Sequence, residues 1–95
     1  MIIQFIRLKS NLPQDELLRR ANERKPRFEE TPGLVQKYYV KLAEEGAYGG
    51  IYVWDSPESM KKFRETELFA SIPGAYEITG PPDAEMLQVL FQLRD

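Results

Sequence analysis

The chain contains no cysteine and no histidine. Without cysteine it can form no disulfide, no thiolate metal site and no thiol nucleophile. Without histidine it lacks the commonest general base, the commonest metal ligand and the ligand of a His-bound haem, and a Ser-His-Asp triad cannot be assembled. Long hydrophobic runs are missing too. The Met1–Ile6 stretch is cut off by Arg7 and Lys9, too soon for a signal peptide or a membrane span, so the expected location is cytoplasmic, with no membrane partner. There is no basic excess either. Thirteen Lys and Arg face fifteen Asp and Glu, a net charge of −2, which argues against nucleic acid as a partner. No repeat, linker or low-complexity segment interrupts the sequence.

What is present fits one small globular domain, residues 1–95. The apolar fraction is 42% and the charged fraction 29%, close to the globular average. A domain this short buries a modest share of its surface and is marginally stable alone, and pairing with a second copy is a common remedy.

Residues 2–9 read as a strand, ended by the turn-like Ser10-Asn11-Leu12-Pro13. Pro13 followed by Gln14, Asp15 and Glu16 marks a helix start, with acids where the dipole favours them. Leu17, Leu18, Ala21 and Phe28 then share a face, and the helix is expected over about residues 13–29. Pro26 should kink it or end it early. After the break at Thr31-Pro32-Gly33, residues 34–40 are rich in strand formers. Ala43-Glu44-Glu45-Gly46 makes the turn, and Gly49–Trp54 forms the partner strand. Its paired glycines mark a bulge or a close approach. Ser56 caps a second helix with Pro57 at its first position and Glu58 beside it. Met60, Phe63 and Glu67 lie along one side. Glu67–Ile72 reads as a further helical turn stopped by Pro73-Gly74, and Ala75–Pro82 as loop with a short extended piece at Tyr76–Thr79. Glu85–Leu93 is the last strand, with Leu87, Val89, Phe91 and Leu93 facing the core and Met86 and Leu90 on the other side. The order β-α-β-β-α-β predicts an α+β, ferredoxin-like domain with a four-stranded antiparallel sheet.

Two helices cover only one face of such a sheet. The other face cannot be uniformly polar, because Leu34, Val35, Tyr38, Tyr39 and Val40 supply apolar groups to both sides of the second strand. Ile51, Val53, Tyr52 and Trp54 do the same for the third. A broad exposed apolar patch points to an interface or a ligand groove. A homodimer with two sheets packed face to face around an interior pocket is therefore expected. The plainer alternative is a scatter of apolar surface residues, which monomers also carry.

The candidate functional residues lie in the central hairpin. Val35, Lys37 and Tyr39 alternate with Leu34, Gln36, Tyr38 and Val40, while Tyr48, Gly50, Tyr52 and Trp54 share one face of the partner strand. A hairpin that pairs residues whose numbers sum to an odd value sets Lys37 and Tyr39 beside Tyr52 and Trp54. In that register Tyr52 and Trp54 could stack on a planar ligand, Tyr39 could donate a hydrogen bond, and Lys37 could steady a developing anion. For chemistry that removes a proton, a tyrosinate or a water could be the base. The competing account is cross-strand aromatic packing at a dimer seam with a solvated Lys37. Arg19, Arg20, Arg24, Lys25 and Arg27 form a basic stripe on the first helix that Glu16, Glu23, Glu29 and Glu30 balance, which reads as a solvated, salt-bridged face.

The stretch Pro32-Gly33-Leu34-Val35-Gln36-Lys37-Tyr38-Tyr39, followed by Gly49-Gly50-Ile51-Tyr52-Val53-Trp54-Asp55-Ser56-Pro57-Glu58, resembles the dimeric α+β barrel superfamily, in particular its antibiotic biosynthesis monooxygenase-like branch. The resemblance runs over nearly the whole chain. It implies a homodimer and a small aromatic or polyketide-like substrate held in a pocket between helices and sheet. The implied activity is a monooxygenation with dioxygen that needs no cofactor, the substrate anion itself supplying the electrons. The cavity positions it implies are Lys37, Tyr39, Tyr52 and Trp54. It departs from the haem-degrading members, which use a histidine. Some members of the superfamily have no demonstrated catalysis, so the second expectation is a binding or structural dimer of the same fold.

Overall fold

The computed structural model describes residues 1–94. Eight elements follow one another: β1 (Ile2–Lys9), α1 (Gln14–Glu29), β2 (Leu34–Lys41), β3 (Ala47–Trp54), α2 (Pro57–Phe63), α3 (Glu67–Ala70), α4 (Ile72–Ala75) and β4 (Asp83–Gln88). The strands form one antiparallel sheet in the order β2-β3-β1-β4, with helices on one face, which is the ferredoxin-like α+β arrangement. Among the described residues no helix is long and apolar enough to cross a membrane.

Local chemistry explains most of the boundaries. Ser56 accepts a hydrogen bond from the Ser59 backbone N–H at 3.2 Å, and Pro57 opens α2 with no donor to waste. Thr66 does the same for α3 through the Phe69 N–H. Pro26 does not end α1, which runs on to Glu29. It lies on the solvent side near the helix end, where water can satisfy the carbonyl it leaves free. The helical turn expected over 67–72 is two turns, and Pro73-Gly74 lies inside the second rather than stopping the first. Proline is tolerated there because it occupies the opening of α4. Glu67, placed beside Met60 and Phe63 by spacing, is exposed, because the chain breaks helix at Arg64. The expected extended piece at 76–79 reduces to one bridge, Ser10 to Ile78.

The covered face carries Ile2, Gln4, Ile6 and Leu8 of β1 and Tyr48, Gly50, Tyr52 and Trp54 of β3. Leu17, Ala21 and Phe28 of α1, Met60 and Phe63 of α2, Leu68 and Ile72 pack onto it. Trp54, Phe63 and Met60 are essentially solvent-free, each worth roughly 1.5–3 kcal/mol of burial. Two buried polar groups are satisfied. Gln4 Oε1 accepts from Trp54 Nε1 at 3.0 Å, and Ser10 Oγ donates to the Tyr76 carbonyl at 2.7 Å.

The last strand differs from expectation. It spans Asp83–Gln88 rather than Glu85–Leu93, and every residue in it is exposed. Met86 pairs with Gln4 and so shares the helix-side face, while Leu87 pairs with Ile3 on the open one, the reverse of the alternation read from sequence. β4 is an edge strand whose only strand partner is β1, and it buries none of its residues. Leu90, Phe91 and Leu93 beyond it are 87%, 83% and 82% exposed rather than core-facing.

Candidate functional site

β2 and β3 bring the candidate residues together through their register. Lys37 lies opposite Tyr52 and Tyr39 opposite Gly50, the odd-sum pairing. A bulge between Leu34 and Gln36 shifts the strand, so Leu34, not a residue of the 35-37-39 set, faces Trp54. The paired glycines sit in regular ladder rather than at a bulge, and what they permit is close approach. A Cβ on Gly50 would lie 2.9 Å from the Tyr52 ring and 3.4 Å from Lys37 Cε, while one on Gly49 would meet Phe5 on the other side of the sheet at 2.8 Å.

Between α1, the β2–β3 end of the sheet and α4 lies a cavity of about 300 Å³. Lys37, Tyr39, Tyr52, Tyr76, Leu17 and Ile72 contribute to its wall, and Leu18, half exposed, stands at its rim. The cavity is therefore on the helix-covered side of the sheet, not in the space between two facing sheets. Trp54 does not reach it. Its indole has no exposed surface and stacks on Tyr52 at 6.2 Å with the rings nearly parallel, so it buttresses the wall from inside the core.

The Lys37 ammonium is enclosed by ring faces. Its Nζ is 3.5 Å from the Phe28 centroid, 4.3 Å from Tyr39 and 4.5 Å from Tyr52. Among the described residues no carboxylate comes within ion-pairing distance of it. Burial, and then the charge of Arg24, lower its pKa to about 7. The ring quadrupoles act in the opposite sense, favouring the charged form. The tyrosines move the other way. Burial raises Tyr39 to about 12 and pushes Tyr52 and Tyr76 up as well, so all three stay protonated donors near neutrality. That removes a tyrosinate as the resting base.

Arg24 leaves the solvated stripe to which its charge assigned it. Arg19 and Arg20 do pair with Glu16, and Arg20 with Glu77, on the surface. Arg24 instead turns inward, donating to Ser71 Oγ at 3.1 Å, with its guanidinium 5.6 Å from the Tyr76 ring centroid. Its Nε and the Tyr76 hydroxyl are buried and have no hydrogen-bond partner among the described residues. The signal for it was present: Leu17, Ala21, Arg24 and Phe28 follow a 4-3-4 spacing, the inward stripe of a helix. Tyr76 had no comparable signal, because it sits beyond two irregular turns. Among the described residues no three acidic side chains gather into a metal-binding cluster.

No protein-family model and no curated protein matches the sequence. Solved structures do match in fold. SnoaB, a cofactor-independent oxygenase from Streptomyces nogalater, superposes with a TM-score of 0.77 at 14% identity over 99% of this chain and 97% of its own. A protein of unknown function from Nitrosomonas europaea gives 0.77 at 16% identity, covering 96% of this chain and 90% of its own. A protein described as an antibiotic biosynthesis monooxygenase gives 0.73 at 14%, covering 95% and 99%. The chain thus shares its ferredoxin-like α+β fold with these structures, an oxygenase and an antibiotic biosynthesis monooxygenase among them.

Proposed function

We propose that this protein is a cofactor-independent monooxygenase that binds a small aromatic or polyketide-like substrate in the cavity between α1 and the sheet, and that it works as a homodimer. The observation that carries the reading is the cavity itself, about 300 Å³, with aromatic walls and a half-buried lysine, Lys37, that has no anionic partner among the described residues. The volume and the few convergent polar groups suit a compact aromatic ligand. An amine with no carboxylate beside it is free to pair, as the ammonium, with a substrate that becomes an anion there. Lys37, Tyr39 and Tyr52 bind it, and Trp54 fixes the Tyr52 ring from behind.

In the reaction a ring CH₂ activated by an adjacent carbonyl or phenol loses a proton. The resulting anion reduces dioxygen, an oxygen atom bonds to that carbon, and the O–O bond breaks. The CH₂ becomes C=O and the second oxygen leaves as water, so CH₂ and O₂ balance C=O and H₂O. The residues position the ring and steady the anion.

Oxygen uptake with a panel of hydroxyanthrones and hydroquinones tests the activity. Uptake with insertion of one oxygen atom into the product and no release of hydrogen peroxide is the expected result. Ligand-induced thermal stabilisation without uptake from any member would refute the oxygenase and leave a binding domain.

A further inference from the structure

The monooxygenase reading needs a group that takes the substrate proton, and the chain has no histidine to do so. Resting on that reading, we propose that Lys37 is the proton acceptor. Its neutral amine removes a proton from an acidic C–H or O–H of the bound aromatic, and the ammonium so formed stays beside the anion. The N–H bond forms at Nζ as the substrate C–H or O–H bond breaks, and that bond's electron pair remains on the substrate. The proton returns later to the reduced oxygen that leaves as water.

Geometry narrows the choice to this residue. Lys37 lines the cavity, its Nζ flanked by the rings of Phe28, Tyr39 and Tyr52. Gly50 leaves the room that the Tyr52 ring and the Lys37 stem occupy, so the lysine can lie across the sheet with its amine at the wall of the cavity that a flat ligand would enter. The surroundings withhold what normally keeps a lysine charged. From α1, Arg24 faces it with a second positive charge; Lys25 and Glu29 flank the outer groove, and Glu29 makes no ion pair with it. β2 adds Tyr39 and Lys41, β3 adds Tyr48 and Tyr52, and Tyr76 follows α4, so the cavity wall holds no carboxylate. The lowered basicity of Lys37 agrees with this, since a base poised near the working pH transfers protons best. The tyrosines, pushed upward, serve as donors to the substrate oxygens.

The test separates proton transfer from oxygenation by excluding dioxygen. Wild type, Lys37→Met, Lys37→Arg and the surface control Lys62→Met are mixed anaerobically with each hydroxyanthrone and hydroquinone near pH 7.5, and the coloured anion is read by absorbance. Wild type and Lys62→Met should generate the anion. Both Lys37 variants should bind without generating it, and aerobically should lose about 10²–10⁴-fold in kcat/KM. Arginine retains the charge but cannot accept a proton. Anion formation by Lys37→Arg, or none by wild type with any panel member, would overturn the proposal. Anion formation without subsequent oxygen uptake would support the base and refute the oxygenase. Should the variants fail to fold, an NMR titration of the Lys37 ε-methylene in wild type decides: a midpoint near 7 supports the proposal, and one near 10.5 overturns it.

Discussion

At the scale of the residue, Lys37 concentrates the conflict between burial and charge. Desolvation and Arg24 oppose its ammonium, and three ring faces, worth about 0.5–2 kcal/mol apiece, favour it. With a folded pKa of about 7 against an ordinary 10.5, folding expels a proton throughout that window. Stability from this site therefore rises as pH climbs from about 7 toward 10.5, and the penalty is full below 7. Lys37→Met should accordingly raise the melting temperature more at pH 6 than at pH 9, which paired thermal melts would read. An equal gain at both would show that Lys37 titrates normally. Tyr39 has the opposite sign: with its pKa raised to about 12, the stability it contributes is intact below pH 10 and lost as pH rises through 12. The indole of Trp54 illustrates the other cost of burial. Trp54→Phe removes the one donor that Gln4 Oε1 has among the described residues, and Gln4 is just 3% exposed. The expected loss is about 1–3 kcal/mol by urea denaturation, with the cavity lining still in place.

At the scale of the element, the helix caps are local devices with local prices. Ser56→Ala deprives the Ser59 N–H of its acceptor and should cost about 1 kcal/mol, measurable as a lower urea midpoint with an unchanged slope. That cap, the first strand, the hairpin and most of the α1 core face were legible in the sequence, because each depends on neighbours within a few residues; Leu18, read on that face, is instead 42% exposed. What was not legible depends on contacts distant in sequence. The reach of β4 is set by which elements come to cover an edge strand, so the alternation of Leu87, Val89, Phe91 and Leu93 could not say which side was inward. The Val35 bulge, which turns Leu34 toward Trp54, follows from fitting β2 onto β3. Lys37, Tyr39 and Tyr52 were found as a set because the hairpin register joins them. Arg24 was missed because counting its charge with its neighbours' hid its place on the inward stripe, and Trp54 was read as wall because its face was correct but its depth was invisible.

At the scale of the whole molecule, the two faces of the sheet have separate tasks. The helix-covered face holds the cavity. The open face presents Ile3, Phe5, Ile51, Val53 and Tyr38, and Tyr38 is 54% exposed. Ile51 occupies its middle, paired with Tyr38 on one side and Phe5 on the other. If the proposed dimer buries this face, a charge at its centre is costly to desolvate, by several kcal/mol, whereas in a lone protomer the same charge meets water. Ile51→Lys should then sediment as a monomer at micromolar concentration where wild type sediments as a dimer, and its far-ultraviolet circular dichroism should be unchanged. A monomeric wild type, or a variant that still pairs, would refute dimerisation through this face. Because the cavity is walled by α1, α4 and the opposite side of β2 and β3, the Ile51→Lys protomer should still gain thermal stability from the aromatic ligands that stabilise wild type. Loss of that gain would mean that the partner copy completes the site.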